Sequence, residues 1–253
     1  MRVRLTKAGL LSLVAVAAGL GCQRPRDEAA DRADDTANVA VGRPDPNDLT
    51  MVRFVNAVPS VPKMDVQAGD QAAFDDVNFK DVTPYREIEQ NRPEFKAMPA
   101  DQPAGEPLAR NTELVLDGKY YTVIAVPTND GKGVELATLR DDGEPSDRSK
   151  ARIRVVHAAT RAGDIDVMVN DATDPVVNDM RPGGDADYKE VTAGPATVTI
   201  KSKDDGRVLL QMPEVQLAPG ESVTIVLTHP SAGSNKVEAI KVADQRRLAG
   251  PAN

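Results

Sequence analysis

Few side chains in this 253-residue chain could take part in covalent or acid–base chemistry, and their spacing matches no common catalytic constellation. The chain has one cysteine, Cys22, and two histidines, His157 and His229. A zinc site needs cysteine or histidine ligands at characteristic spacings, which the sequence lacks. Ser222 follows Gly220 as in a nucleophile elbow, but the second glycine is missing and the segment opens a predicted strand. We therefore predict no catalytic residue, no metal site of this type and no cofactor.

Three other side chains are candidates for contact with a ligand or partner: Tyr120, Tyr121 and His157. The two tyrosines are neighbours in a predicted strand, so their rings point to opposite faces, one to the core and one to the surface. His157 ends a predicted strand, where its imidazole can cap the strand by hydrogen bonding. His229 follows another predicted strand, and we expect it to be an exposed loop residue.

Carboxylates crowd the segment before Tyr188. Asp164 and Asp166 share one face of a predicted strand, and Asp185 and Asp187 follow in a predicted loop. Calcium prefers oxygen ligands of this kind. The spacing fits no EF-hand loop, however, and aspartate is also a common turn residue. A calcium site formed by these four residues and an ordinary set of turn residues both remain open.

The beginning of the chain predicts export. Three basic residues precede an apolar run at residues 8–21, which is shorter than the roughly 20 residues that a membrane-spanning helix needs. A small residue, Gly21, stands directly before Cys22. This arrangement is typical of a signal peptide that is removed on export. The basic residues are Arg2, Arg4 and Lys7.

Residues 19–22 resemble the bacterial lipoprotein signal, although Gly19 stands where that signal usually has leucine. The resemblance implies that residues 1–21 are removed and that the Cys22 sulfur carries lipid, with acyl chains such as palmitate anchoring the protein. Because Gln23 rather than aspartate follows the cysteine, it also implies the outer membrane. The alternative is an ordinary secretory cut that leaves a free thiol.

The composition limits the partners. The chain is acidic, with a net charge of -8, so phosphate backbones would repel it and we expect no nucleic-acid partner. Aromatic residues make up 3% and tryptophan is absent, so the core must be mainly aliphatic. Residues 22–50 are polar and contain no run that could bury apolar surface, and we expect them to form a disordered tether.

Comparison of the chain with itself indicates a duplicated unit. Residues 52–58 align with residues 153–159, and the matches continue in order along both halves. Among them, Tyr85 corresponds to Tyr188 and Asn56 to His157. We predict one domain at 51–142, a linker at 143–150, a second domain at 151–244 and a tail at 245–253.

Alternating apolar and polar residues separated by glycine and proline turns predict half-buried strands. Residues 165–169 and 223–227 show this pattern most clearly. We predict an all-β protein of two tandem antiparallel β-sandwich domains, Ig-like or transthyretin-like. Residues 89–110 depart from the pattern and are predicted to be a surface loop or irregular edge, apart from a possible strand at 95–98.

Residues 152–159, 164–170, 191–194 and 217–220 resemble the DUF4397 domain, and the first half has its own versions at 52–59 and 116–126. The resemblance implies an extracytoplasmic β-sandwich, often tandem, with no assigned activity.

Together these features predict a lipid-anchored, non-enzymatic envelope protein that binds an envelope or extracellular protein partner through sandwich loops or strand edges. The alternatives are a small-molecule or glycan-binding lipoprotein and, more remotely, an uncharacterised enzyme that uses residues 89–110.

Overall fold

The computed structural model describes residues 50–88, 92–102, 105–112, 115, 118–141 and 147–243, and these residues form strands and turns without a helix. The first half contains β1 (Thr50–Asn56), β2 (Lys63–Ala68), β3 (Gln71–Asn78), β4 (Arg86–Ile88), β5 (Glu94–Pro99), β6 (Ala109–Thr112), β7 (Tyr120–Pro127) and β8 (Val134–Arg140). The second half contains β9 (Lys150–His157), β10 (Ile165–Val169), β11 (Val177–Met180), β12 (Lys189–Thr192), β13 (Gly194–Ser202), β14 (Val208–Leu217), β15 (Ser222–Thr228) and β16 (Glu238–Ala243).

The two halves have the same topology. Sheets of order β4-β1-β7-β8 and β3-β2-β5-β6 form the first sandwich, and β12-β9-β15-β16 and β11-β10-β13-β14 form the second. The all-β architecture of two sandwich domains is therefore confirmed. Each sandwich also contains one parallel pair, β1 with β7 and β9 with β15, which sequence alternation alone does not predict.

The segment 89–110, predicted to be a loop or irregular edge apart from a possible strand at 95–98, contains β5 and the beginning of β6. The strand predicted at 95–98 is part of β5, which pairs antiparallel with β2, and β6 pairs with β5. The signal, Cys22, the tether apart from Thr50, residues 143–146 of the linker and the tail lie outside the described residues. Within the described ranges, no helix has the length and apolar character needed to cross a bilayer.

Each sandwich has its own core between its two sheets. Phe54, Phe74 and Phe95 are buried in the first, where the Phe54 and Phe74 rings stack with centroids 6.2 Å apart. The core of the second is aliphatic, with Ile153 and Ile165 among its buried residues. Among the described residues, aromatic side chains are therefore buried in the first core but not in the second.

A third core lies between the sandwiches. We call β4-β1-β7-β8 and β12-β9-β15-β16 the inner sheets, because side chains from both pack together in one buried cluster. Val55 and Ile124 come from the first inner sheet, and Val156, Val226 and Ile240 from the second. Both halves belong to one compact unit that includes all described residues.

The third core explains why the strands of the inner sheets are buried on both faces. The expectation of a half-buried strand at residues 223–227 is wrong, because every residue of β15 is buried. Alternate side chains face the core of the second sandwich, and Val226 faces the first sandwich. Strands with two covered faces have nearly continuous apolar sequences. In these strands Val226 and Ile124 are the apolar residues that stand where strict alternation would have a polar residue.

Candidate functional site

A buried polar cluster joins the two sandwiches at the inner sheets. Asp141 is fully buried, and Arg53 and Arg154 are only 3% and 4% exposed. The Arg154 guanidinium donates to the Asp141 carboxylate at 2.6 Å, and the Arg53 guanidinium lies 3.4 Å from the other carboxylate oxygen. One carboxylate therefore pairs with an arginine from each sandwich.

The arginines occupy corresponding positions and make corresponding contacts across the boundary. Arg53, in the first sandwich, donates to the carbonyl oxygen of Ala243 at 2.7 Å. Arg154, in the second, donates to the carbonyl oxygen of Arg140 at 2.9 Å. Each guanidinium thus satisfies a backbone acceptor at the end of the other sandwich's last strand, which holds the two bodies together.

Two pairs of side chains complete the cluster. The Nε–H groups of Arg53 and Arg154 donate to the hydroxyls of Thr122 at 2.8 Å and Thr224 at 3.0 Å. Each guanidinium also stacks on a tyrosine ring of its own sandwich, at 4.6 Å for Arg53 on Tyr85 and 4.4 Å for Arg154 on Tyr188. The Tyr85 hydroxyl donates to Asp141 at 2.8 Å.

This cluster is a joint rather than a reaction centre. Its charges are buried and its donors are directed at protein acceptors, so it offers no open coordination or substrate position. This cluster is not among the candidate sites predicted above, although the sequence contains a signal for it. An arginine recurs inside both aligned apolar strands, and each is accompanied by the recurring tyrosine, Tyr85 or Tyr188.

His157 lies at the end of β9, as predicted, and its imidazole is buried. Its Nε2 lies 2.9 Å from the carbonyl oxygen of Gly163, so Nε2 carries the hydrogen and donates. Within the part of the chain that the structure describes, Nδ1 has no hydrogen-bond partner. The ring therefore fixes the loop after β9 and is not positioned as a surface contact.

Burial lowers the pKa of His157 below its usual value, since the cation would lose its hydration. As pH falls through the unfolded-state pKa near 6.5, the unfolded chain takes up this proton before the folded chain does. His157 therefore contributes stability above that pH which is lost as pH falls below it, at up to about 1.4 kcal/mol per pH unit.

We predict that His157→Gln, which keeps a nitrogen donor but does not titrate, flattens this part of the stability profile. Urea unfolding of both proteins between about pH 5 and pH 8 measures the effect. The difference between the two free energies of unfolding cancels the other titrating groups. Parallel profiles for the two proteins would contradict the assignment.

His229 is buried, so the expectation of an exposed loop residue is wrong. Its Nδ1–H donates to the carbonyl oxygen of Lys236 at 2.7 Å, and its Nε2 accepts from the backbone N–H of Arg161 at 3.1 Å. The neutral ring thus uses both nitrogens to connect two loops. This burial depends on contacts between distant segments, which a reading of the local sequence does not include.

Tyr121 faces the core and Tyr120 does not, as predicted, but the Tyr120 side chain is less exposed than expected. Tyr121 is buried in the first core. Tyr120 is only half-buried, and its ring packs edge-on against Tyr85 with centroids 5.0 Å apart. Neither ring is a free platform for a sugar.

The four aspartates proposed for calcium are distributed over separate places. Asp166 accepts from the backbone N–H of Asp179 at 2.8 Å, where Asp179 has a positive φ of 55° and the β10–β11 register shifts. In the first sandwich Asp65 accepts from Asp76 in the same way, also at 2.8 Å. The repeated aspartate of this motif thus holds a β-bulge, and Asp166 also pairs with Lys203 at 3.4 Å.

Asp185 and Asp187 are exposed and lie beside a cleft, whereas Asp164 is half-buried before β10. Among the described residues, no group of three or more histidine, cysteine, aspartate or glutamate side chains is arranged to hold a metal ion. Calcium binding stays a hypothesis that this geometry does not favour.

Clefts occur at corresponding places in both sandwiches. One cleft lies at the end of each: about 540 Å³ in the first, which includes Val61 and Leu108, and about 520 Å³ in the second, which includes the corresponding Ala162 and Leu209. Another lies beside β3 in the first, about 280 Å³, and beside β11 in the second, about 630 Å³.

The family of domains of unknown function DUF4397 matches residues 50–168, which cover the first sandwich and the beginning of the second. The resemblance to this family is confirmed over those residues. No curated protein matches the chain.

Solved structures show only distant likeness. The C-terminal domain of AlgF from P. aeruginosa is 20% identical, covering 38% of this chain and 99% of that one at a TM-score of 0.30. The fimbrial anchor protein Mfa2 from Porphyromonas gingivalis is 9% identical, with coverages of 78% and 97% and a TM-score of 0.24. A streptococcal virulence factor described as binding α-glucan is also 9% identical, with coverages of 74% and 95% and a TM-score of 0.24. At these scores the likenesses carry no functional argument.

Proposed function

We propose that this chain, whose residues 50–168 match DUF4397, is a non-enzymatic, lipid-anchored protein of the cell envelope that presents two joined β-sandwiches to a protein partner. The observation that carries the proposal is the joint at Asp141. It joins the sandwiches into one body, and its buried charged side chains pair with one another and therefore have a structural role.

The joint also determines which surfaces a partner can reach. The inner sheets cover each other, so each outer sheet, β3-β2-β5-β6 in the first sandwich and β11-β10-β13-β14 in the second, keeps one face that the other sandwich does not cover. β14 is the longest strand of the described residues and pairs with β13 on one side. Within the described residues no strand pairs with its other edge, and an edge of this kind can accept a strand from another protein.

Only part of β14 suits such pairing. Pro213 has no backbone N–H to donate, and Glu214 has a positive φ of 55°, so the strand is irregular there. The stretch before Pro213 begins at Val208, whose side chain is 52% exposed. We therefore assign partner binding to residues 208–212.

The anchor is supported by the lipoprotein-like sequence at residues 19–22 and is tested at Cys22. Wild-type protein is expected in the outer-membrane fraction, with a mass increased by diacylglycerol and a further acyl chain. Cys22→Ala is expected in the soluble fraction, because stable attachment requires more than one acyl chain and the variant carries none. Ser12→Ala, a small change in the same apolar run, is the control and is expected to fractionate as wild type.

Membrane fractionation of Cys22→Ala that equals wild type, or an unmodified sulfur by intact mass, would overturn the anchor. Placement in the outer membrane has its own test, because Gln23→Asp is expected to move the protein to the inner membrane. A wild type that already resides there would contradict this part of the proposal alone.

A second candidate function, small-molecule or glycan binding, is favoured by the end clefts of the two sandwiches. Their volumes of about 540 and 520 Å³ are within the usual range for ligand pockets. The enzymatic alternative has no comparable support, since the described parts of residues 89–110 contribute β5 and the beginning of β6 to a regular sheet.

A further inference from the structure

The end cleft of the second sandwich differs in charge from the protein as a whole. It encloses about 520 Å³ and is lined by Arg161, Ala162, Arg207, Val208, Leu209, Asn235, Lys236 and Val237. Among the residues that the structure describes, this lining contains three cationic side chains and no carboxylate, in a chain whose net charge is -8. A concavity lined by cationic side chains attracts an anion, even though the net negative charge of the chain disfavours anions in general.

The corresponding cleft of the first sandwich has the opposite character. Its charged lining residues are Lys63, Asp76 and Asp101, and Lys63 pairs with Asp76 at 3.1 Å. The positive lining therefore does not follow from the duplicated fold itself. It is a property of the second sandwich, where Arg161 occupies the position of Ser60.

Buried His229 positions two of the cationic residues. Its Nδ1–H binds the carbonyl oxygen of Lys236 and its Nε2 binds the backbone N–H of Arg161, so one ring links the backbones of both walls. The Arg161 guanidinium also donates to the carbonyl oxygen of Gly233 at 3.2 Å, which leaves other N–H groups of its fork for a ligand. Because these backbone segments are already ordered in the free protein, ligand binding loses less conformational entropy.

The third cation is less restrained. Arg207 lies 3.7 Å from Asp205, and both side chains are largely exposed. A pair of this kind contributes little in water, so the guanidinium can turn towards an anion without a large penalty.

The rest of the lining is apolar. Val237 is buried, Leu209 packs partly against the core, and Val208 and Ala162 complete the surface. No aromatic ring is among these lining residues, so a neutral sugar would lack the usual stacking platform. Charge must supply the recognition.

We propose that the end cleft of the second sandwich binds a small, oxyanion-bearing sugar, in which Arg161 and Lys236 hold the carboxylate or phosphate and the apolar lining covers the ring. A guanidinium fork matches the geometry of either oxyanion. The cleft shares Val208 and Leu209 with the strand edge that we assign to partner binding, and it is independent of the anchor at Cys22. Sugar binding by the purified chain requires neither a protein partner nor lipid, so the failure of either of those proposals leaves this one standing.

Isothermal titration of the purified full-length chain tests the site, with glucuronate, glucose 6-phosphate, inorganic phosphate and glucose as probes. At least one anionic sugar is expected to bind, more weakly as salt increases, and glucose is expected not to bind. Glucuronate alone identifies a carboxylate ligand, and glucose 6-phosphate with inorganic phosphate identifies a phosphate ligand.

The double variant Arg161→Gln/Lys236→Gln is expected to weaken binding by about tenfold or more, because it removes two charged donors. Arg110→Gln/Lys132→Gln removes the same charges from exposed positions of the first sandwich and is the matched control, expected to bind within about twofold of wild type. Thermal unfolding establishes that both variants are folded. The proposal is overturned if no anionic sugar binds, if glucose binds as well as they do, or if both double variants bind alike.

Discussion

Asp141→Asn is expected to lower the free energy of unfolding by about 3–5 kcal/mol, because it leaves two buried guanidinium groups without their shared carboxylate. The substitution preserves the size of the side chain, so the loss measures charge and not a cavity. Urea unfolding at neutral pH, followed by far-UV circular dichroism, measures the change.

Asp76→Asn is the matched control. It also neutralises an aspartate paired with a cation, Lys63, but the Asp76 side chain is 72% exposed. Asparagine also tolerates the positive φ of 55° at this position. We expect a loss below about 1 kcal/mol, and an equal loss in both variants would show that the Asp141 cluster is not a buried joint.

A triple variant distinguishes the cost of unpaired charge from the contribution of the whole cluster. Arg53→Met/Arg154→Met/Asp141→Leu removes all three charges and fills much of the same volume. Replacing a complete buried ion cluster by apolar residues is often neutral, whereas removal of one partner is not. We therefore expect the triple variant to unfold at a higher urea concentration than Asp141→Asn.

Val226→Asp is expected to destabilise the protein by about 4 kcal/mol or more, because it places an unpaired carboxylate between the inner sheets. Val226 is fully buried there and packs in a cluster with side chains of the first sandwich such as Ile124. The effect should therefore cross the boundary, even though the substitution is in the second sandwich.

Hydrogen exchange detected by mass spectrometry measures whether the destabilisation extends from the second sandwich into the first. In Val226→Asp, amides of β7 in the first sandwich are expected to lose protection together with those of β15. The control is Thr199→Asp on β13 of the same sandwich, a half-buried position away from the inner sheets, with an expected cost of about 1 kcal/mol. Unchanged exchange in β7 of the Val226 variant would mean that the sandwiches are energetically independent.

Much of the fold is predictable from local patterns. Alternation and turn residues predict the strands at residues 165–169 and 223–227, and the two halves have the same strand order, in agreement with the internal sequence matches. The contacts of individual polar residues are harder to predict from the sequence. The carboxylates near Asp166 in the sequence make it a candidate calcium ligand, but its carboxylate accepts from the backbone N–H of Asp179, which only the β10–β11 register brings close.

The sequence by itself determined the all-β class, the two units and their turns, because side-chain alternation and glycine or proline positions act over a few residues. Tertiary structure alone decided that Arg53, Asp141 and Arg154 meet, that Val226 is covered and that His229 is buried beside a cationic cleft. Those outcomes depend on how two sheets from distant parts of the chain face each other. This arrangement is stabilised by the burial of apolar surface on both faces of the inner sheets. The sequence of a single strand indicates only that both of its faces are partly apolar, and not which surface covers each face.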